Sequence, residues 1–168
     1  MRPDLSRVPE FFYNYINQVP EDDLMEAFRK ETPVLIDLMK SIPPSKYDFR
    51  YADGKWTVKE VLQHIIDAER VFAYRALRFA RKDATPLPPF DENLFADNAK
   101  AGKRDWNDLV EELKAVRLAS EYLFASFDDD QLQAAGTASN KSIYVLAIGF
   151  IVVGHSLHHV RILKEKYL

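Results

Sequence analysis

The sequence predicts an all-α protein, and three observations carry that reading. Four long stretches repeat apolar residues at helical spacing, two of them open on N-cap signals, and no stretch alternates clearly enough to compete as a strand. At 168 residues the chain is long enough for one well-packed domain and short for two, so a single domain over 1–168 is expected.

The elements follow in order. Glu10 to Gln18 reads as a short helix, with Phe11, Phe12, Tyr15 and Ile16 at helical spacing and Pro20 stopping it. The first long helix spans about Glu21 to Ser41. Glu21, Asp22 and Asp23 suit its positive end, Leu24, Phe28, Leu35, Ile36 and Leu38 face inward, and Pro33 should kink it. Pro43-Pro44 and Asp53-Gly54 mark the next connection as turns. Thr57-Val58-Lys59-Glu60 then fits a capping box, so the second helix starts at Thr57 and runs to about Lys82. Its core stripe is Val58, Val61, Ile65, Ala68, Phe72, Ala76 and Phe79. His64 lies on the edge of that stripe, and burying Val61 and Ala68 must draw it inward.

Asp83 to Arg104 holds Pro86, Pro88 and Pro89, too many for a helix. Its Phe90, Leu94 and Phe95 argue against a solvated linker and for an ordered crossover covering one end of the bundle. The third helix begins at Asp105 as N-cap and carries Leu109, Val110, Leu113, Val116, Leu123 and Phe124 to about Phe127. Asp128-Asp129-Asp130 lacks the alternating ligands and distal glutamate of a calcium loop and reads as a solvated terminus. The fourth helix should start near Ser139 or Asn140. Its run from Ile143 to Val153 is apolar on every face, which requires either a central position or a dimer interface.

Composition narrows the function. A hydrophobic content of 47%, 29% charged residues and a net charge of −3 give no basic surface for nucleic acid. The absence of cysteine excludes disulfides, thiolate ligands and a cysteine nucleophile, leaving histidine and carboxylate as ligand types. Arg2, Asp4 and Arg7 precede Phe11-Phe12 without an apolar signal core, so a cytoplasmic location is expected. The Ile143–Val153 run is about half the roughly 20 residues that span a bilayer, so no membrane partner is expected.

Three of the four histidines crowd into Gly154-His155-Ser156-Leu157-His158-His159. His155 and His159 stand one helical turn apart on the face shared by Ile148, Val152 and Ile162. His158 is turned toward Gly154, Arg161 and Glu165, so it is a rim residue, solvated or held by Glu165, and a fallback ligand. Two buried imidazoles admit two readings, a hydrogen-bonded core pair or two ligands of a divalent metal. His64, itself readable as a core or rim histidine, would complete a three-histidine site if it faces the pair. Asp67 and Glu60, three and four positions away, could orient its ring. No HExxH, no Glu-x-x-His pair and no glycine-rich phosphate loop is present.

The segment Lys55-Trp56-Thr57-Val58-Lys59-Glu60-Val61-Leu62-Gln63-His64-Ile65-Ile66-Asp67-Ala68-Glu69-Arg70, followed by Pro89-Phe90-Asp91-Glu92 and by Gly154 through His159, resembles the DinB superfamily, the DinB/YfiT-like metal-dependent proteins. The resemblance spans nearly the whole chain. It implies an up-down-down-up four-helix bundle, with a crossover that travels the bundle length, and one divalent metal, zinc or nickel, on His64, His155 and His159. It also implies chemistry of a metal-dependent hydrolase or of transferases and isomerases that use low-molecular-weight thiols. Ser156 stands where such relatives frequently carry an acidic residue, which removes a general base at that position.

Two functions follow. Three histidines leave a fourth position open, which suits an enzyme activating water or a thiol, with Asp67 and Tyr74 as candidate orienting groups and Tyr144 some three turns from His155. Alternatively the metal ties two helices together in a non-catalytic module, a homodimer joined through the apolar faces of the fourth helix.

Overall fold

The computed structural model describes all 168 residues. In chain order it contains α1 (Tyr13–Ile16), α2 (Leu24–Ser41), α3 (Val58–Ala80), α4 (Glu92–Ala99), α5 (Trp106–Ala125), α6 (Asp129–Gln133), a hairpin of β1 (Ala135–Ala138) and β2 (Lys141–Tyr144), and α7 (Val145–Ile162), which ends in a π-helical turn, Leu163–Tyr167. Helices α2, α3, α5 and α7 form the four-helix bundle.

Caps decide where the long helices begin. The Asp23 carboxylate accepts from the Glu26 N–H at 2.9 Å, so α2 starts at Leu24 and leaves Glu21 and Asp22 outside it. The helix runs without interruption through Pro33. The Thr57 capping box is complete. Glu60 N–H donates to Thr57 Oγ1, and the Glu60 carboxylate accepts from Thr57 N–H at 2.7 Å, which places Thr57 as the cap and Val58 as the first helical residue. Asp105 caps α5 through the N–H groups of Asn107 and Asp108.

Three expectations are corrected. The crossover holds a helix after all, because α4 lies beyond Pro86, Pro88 and Pro89 and is capped by Asp91. Asp128 is itself a cap, boxed with Gln131, so the acidic triplet opens α6 rather than ending a helix in solvent. Most substantially, the residues before α7 form strands. Ser139 and Asn140 take φ of +52° and +60°, the double left-handed turn that closes a tight hairpin, and α7 starts only at Val145. The crossover joins this hairpin at Leu87, whose N–H donates to the Thr137 carbonyl at 2.9 Å and whose carbonyl accepts from Ser139 N–H at 3.0 Å. Gly136 is required there, since a Cβ would stand 2.1 Å from the Phe79 ring.

The bundle runs up-down-down-up. Helices α3 and α5 are parallel neighbours, as the pairs Gln63 with Arg104 and Arg70 with Glu112 show, so the chain must return along the bundle between them. That is why the crossover is long. Helix α7 packs on α1, α2, α3 and α6, and every residue from Val145 to Ser156 is buried. It is the central helix. Along that stretch its apolar faces are covered within the chain itself, which is the central position the sequence allowed. Val145–Tyr167 has the length and hydropathy of a membrane span, but 78% of its most apolar window is buried inside the protein.

The apolar interior falls into two clusters. One gathers around Phe28, Phe72, Phe124 and Ile148, the other around Leu35, Ile65, Leu113 and Val160. Between them each bundle helix contributes a polar side chain: Thr32, Glu69, Arg117 and Ser156. Arg117 is bidentate to Glu69, with Nη2 at 2.8 Å, and also donates to Ser156 Oγ at 2.6 Å and Thr32 Oγ1 at 3.3 Å. Neither charge is more than 2% exposed. A buried pair is tolerable only when its remaining donors and acceptors are also met, and here the two hydroxyls meet them.

Candidate metal centre

Antiparallel contact between α3 and α7 brings His64 onto the pair His155 and His159. The His64 and His155 Nε2 atoms are 3.0 Å apart, those of His155 and His159 are 3.1 Å apart, and one ring nitrogen from each of the three lies within 4.8 Å of the others. His155 and His159 are buried and His64 is largely so. The sequence expected this convergence.

The donors suit a cation. A neutral imidazole Nε2 either donates once or accepts once, so His155 Nε2, with two ring nitrogens at hydrogen-bond distance, can satisfy only one. Zinc bonds of about 2.0–2.1 Å in tetrahedral array put ligand nitrogens about 3.3 Å apart, close to the two separations that His155 Nε2 makes. Burial is the main cause that holds all three rings neutral, with lone pairs free. It pushes His64 down to about 4, and His155 and His159 well below their ordinary value, where the neighbouring imidazoles depress them further. His159 Nδ1 is buried without a partner.

Helix α1 closes one side of the cluster. A Cβ at residue 154 would meet the Tyr15 carbonyl oxygen at 2.0 Å, so only glycine lets α1 lie against α7 there. The Tyr15 ring consequently stands edge-on to His155, centroids 5.5 Å apart, while Trp56 lies 4.7 Å from His64 on the other side. The three histidines open onto a cavity of about 450 Å³ whose walls include Phe12, Trp56, Phe72, Phe90 and Arg75.

Other expected residues take different places. His158 is half-buried at the rim, as expected, but it packs on the Tyr15 and His159 rings and meets Arg161, 3.4 Å from Nδ1, and not Glu165. Asp67 does not orient His64; its carboxylate accepts from Gln63 Nε2 at 2.9 Å. Glu60 is consumed by the capping box. Tyr74 is 51% exposed and paired with Arg78, outside the cavity. Both candidate orienting groups are therefore off the site, because α3 turns them away from the face that carries His64. The Tyr144 hydroxyl accepts from Asp4 N–H at 2.6 Å, at the far end of α7. Ser156 Oγ donates to the Val152 carbonyl and accepts from Arg117, so it belongs to the buried ion pair and not to the cavity.

Sequence reading missed Glu69, Arg117 and Arg75. Their signal was present: each is a charged residue at core spacing, Glu69 three before Phe72, Arg117 four after Leu113, and Arg75 three after Phe72.

Fold and site together define an up-down-down-up helical bundle with a buried, three-histidine ligand cluster between its second and fourth helices. The chain belongs to the DinB superfamily, whose sequence profile matches residues 13–163. It is similar to YfiT of Bacillus subtilis (strain 168), a protein provisionally named as a metal-dependent hydrolase, with 23% identity over 154 residues, 89% of this chain and 85% of that one. A solved structure of Bacillus subtilis YfiT, provisionally described as a metal-dependent hydrolase with an unusual four-helix bundle topology, superposes with a TM-score of 0.71 at 20% identity and covers 98% of this chain and 90% of that one.

Proposed function

We propose that this chain is a metal-dependent enzyme of the hydrolase or low-molecular-weight-thiol transferase type, holding one divalent ion, zinc or nickel, on His64, His155 and His159. The observation that carries the reading is the convergence of three neutral imidazole nitrogens at the wall of a substrate-sized cavity. The name given to YfiT supports the hydrolase class. A three-nitrogen set that opens on a cavity favours an exchangeable fourth position over a closed structural staple.

When bound, the ion supplies Lewis acidity that makes a water or thiol a competent nucleophile near neutral pH. The protein does the rest. Trp56, Phe12 and Phe72 exclude bulk water around the cluster and strengthen every electrostatic contact inside it. His158 and Glu92 also line the cavity and, with the orienting candidates Asp67 and Tyr74 off the site, are the groups able to take or return a proton there. Burial, and then Arg161, lowers the pKa of His158, leaving it neutral and able to accept a proton at physiological pH.

Elemental analysis of tag-free protein tests the ligand set. One divalent ion per chain is expected, and His159→Ala should lose metal affinity at least about tenfold more than His158→Ala. Equal losses, or wild-type protein that takes up neither zinc nor nickel, would refute the assignment. A panel of ester, amide and thiol-conjugation substrates, assayed with and without the confirmed metal, then separates hydrolase from transferase.

A further inference from the structure

Arg75 is the one deeply buried cation in this protein without an anion beside it. It is 7% exposed, yet no carboxylate lies within ion-pairing distance. Its Nη2 donates to the Pro88 carbonyl at 3.0 Å and to Ser139 Oγ at 3.2 Å, which fixes the guanidinium between the crossover and the hairpin turn. Nε and Nη1 have no hydrogen-bond partner in the chain, and the residue lines the histidine cavity. The contrast with Arg117, whose donors are met by Glu69 and two hydroxyls, is direct. A guanidinium held in a partly desolvated cavity wall with Nε and Nη1 uncommitted and still reachable from the cavity is poised for an anion, and its fork geometry matches a carboxylate or phosphate.

Position on the helix relates Arg75 to the cluster. Eleven residues separate it from His64, three turns that return it to within about 20° of the same face of α3, with Ala68 and Phe72 between. The rise is about 16 Å at the Cα atoms, so a ligand that touches both must be elongated. Lys141 adds a second cation to the lining. Glu92, the lining carboxylate, faces Tyr15, whose pKa it helps raise after burial, rather than Arg75.

We propose that the cavity binds an elongated organic oxyanion, a carboxylate or phosphate monoester on an apolar body, with its anionic end on Arg75 and its reacting end at the histidine cluster. The apolar body lies against Phe72 and Phe90, and the latter ring sits 5.7 Å from the guanidinium carbon. The reacting-end assignment rests on the metal-centre reading above. The anion assignment stands on Arg75.

Titration calorimetry with 6-phenylhexanoate, 6-phenylhexyl phosphate and neutral 6-phenylhexanamide tests it, on zinc-loaded and on chelator-treated protein. At least one of the two anions should bind about tenfold or more tighter than the amide, and the tighter of them identifies the head group. Arg75→Met should bring that ratio close to one while leaving amide affinity unchanged. Equal binding of all three probes by the wild type would overturn the proposal, whether or not Arg75→Met folds. So would a ratio that survives in a folded Arg75→Met variant. The two readings fail separately. Anion preference in protein that binds no metal sinks only the metal centre, and a ratio of one in protein with metal bound sinks only the role of Arg75.

Discussion

Gly154→Ala should destabilise the protein even though alanine is the better helix former. The substitution favours the helix by up to about 1 kcal/mol. Against that, the new methyl would stand 2.0 Å from the Tyr15 carbonyl oxygen and 2.5 Å from its carbon, where ordinary contacts begin near 3.5 Å. The obstacle is backbone, so α1 must retreat by more than 1 Å. Ile16, fully buried, and the Arg2 bond to the Ile16 carbonyl go with it. Overpacking typically costs about 1–3 kcal/mol, and a backbone obstacle belongs at the upper end, leaving a net loss of about 2 kcal/mol. For a chain of this length that lowers Tm by roughly 4–8 °C. Gly149→Ala is the control, because its methyl meets chiefly the Leu24 side chain at 2.5 Å, which can swing aside. Urea unfolding with an unchanged m-value reads both variants. A Gly154→Ala protein as stable as the wild type, or less perturbed than Gly149→Ala, would refute the claim that α1 is held rigidly on α7. Retreat of α1 also withdraws Tyr15 from His155, so zinc affinity should fall with stability.

Arg117→Met strands the buried Glu69 carboxylate and should cost about 3–5 kcal/mol in urea unfolding, while Glu69→Leu with Arg117→Met should recover most of it; a single variant costing under about 1 kcal/mol would contradict the buried pair. Acid should weaken the metal-free protein in a defined window. The folded-state pKa values of His64, His155 and His159 lie below the ordinary 6.5, so between 6.5 and about 4 the unfolded chain binds more protons and stability falls as pH drops. His64 alone accounts for about 2 kcal/mol by pH 5, and a urea midpoint that His64→Ala leaves with the same slope between pH 6.5 and 5 would show that the ring is not buried as described. Metal itself should stabilise: zinc at a hundredfold over its Kd adds about 2.7 kcal/mol, and this gain should vanish in His155→Ala, with a persistent gain pointing to a different site.

What the sequence made legible and what it hid have a common physical cause. Apolar period and caps depend on residues within a turn or two of each other, so the bundle helices and the Thr57 box could be read directly. The hairpin could not. Its turn is Ser139-Asn140 rather than a glycine-bearing pair, and Ile143 and Tyr144 merge by composition with the apolar run that continues into α7. The site divides along the same line. His155 and His159 share a helix face by spacing alone, whereas Tyr15 and Phe90 reach the cavity only because Gly154 admits α1 and Leu87 fastens the crossover to the hairpin. Helical geometry nevertheless held more than chemistry suggested. Tyr74 and Asp67 offer familiar proton-transfer groups, but at 100° per residue they lie about 80° and 60° from His64 around α3, while Arg75 returns to within about 20°. On a helix that contributes one edge to a cavity, angular position selects which side chains can act, and the chemical appeal of a residue counts only after that selection.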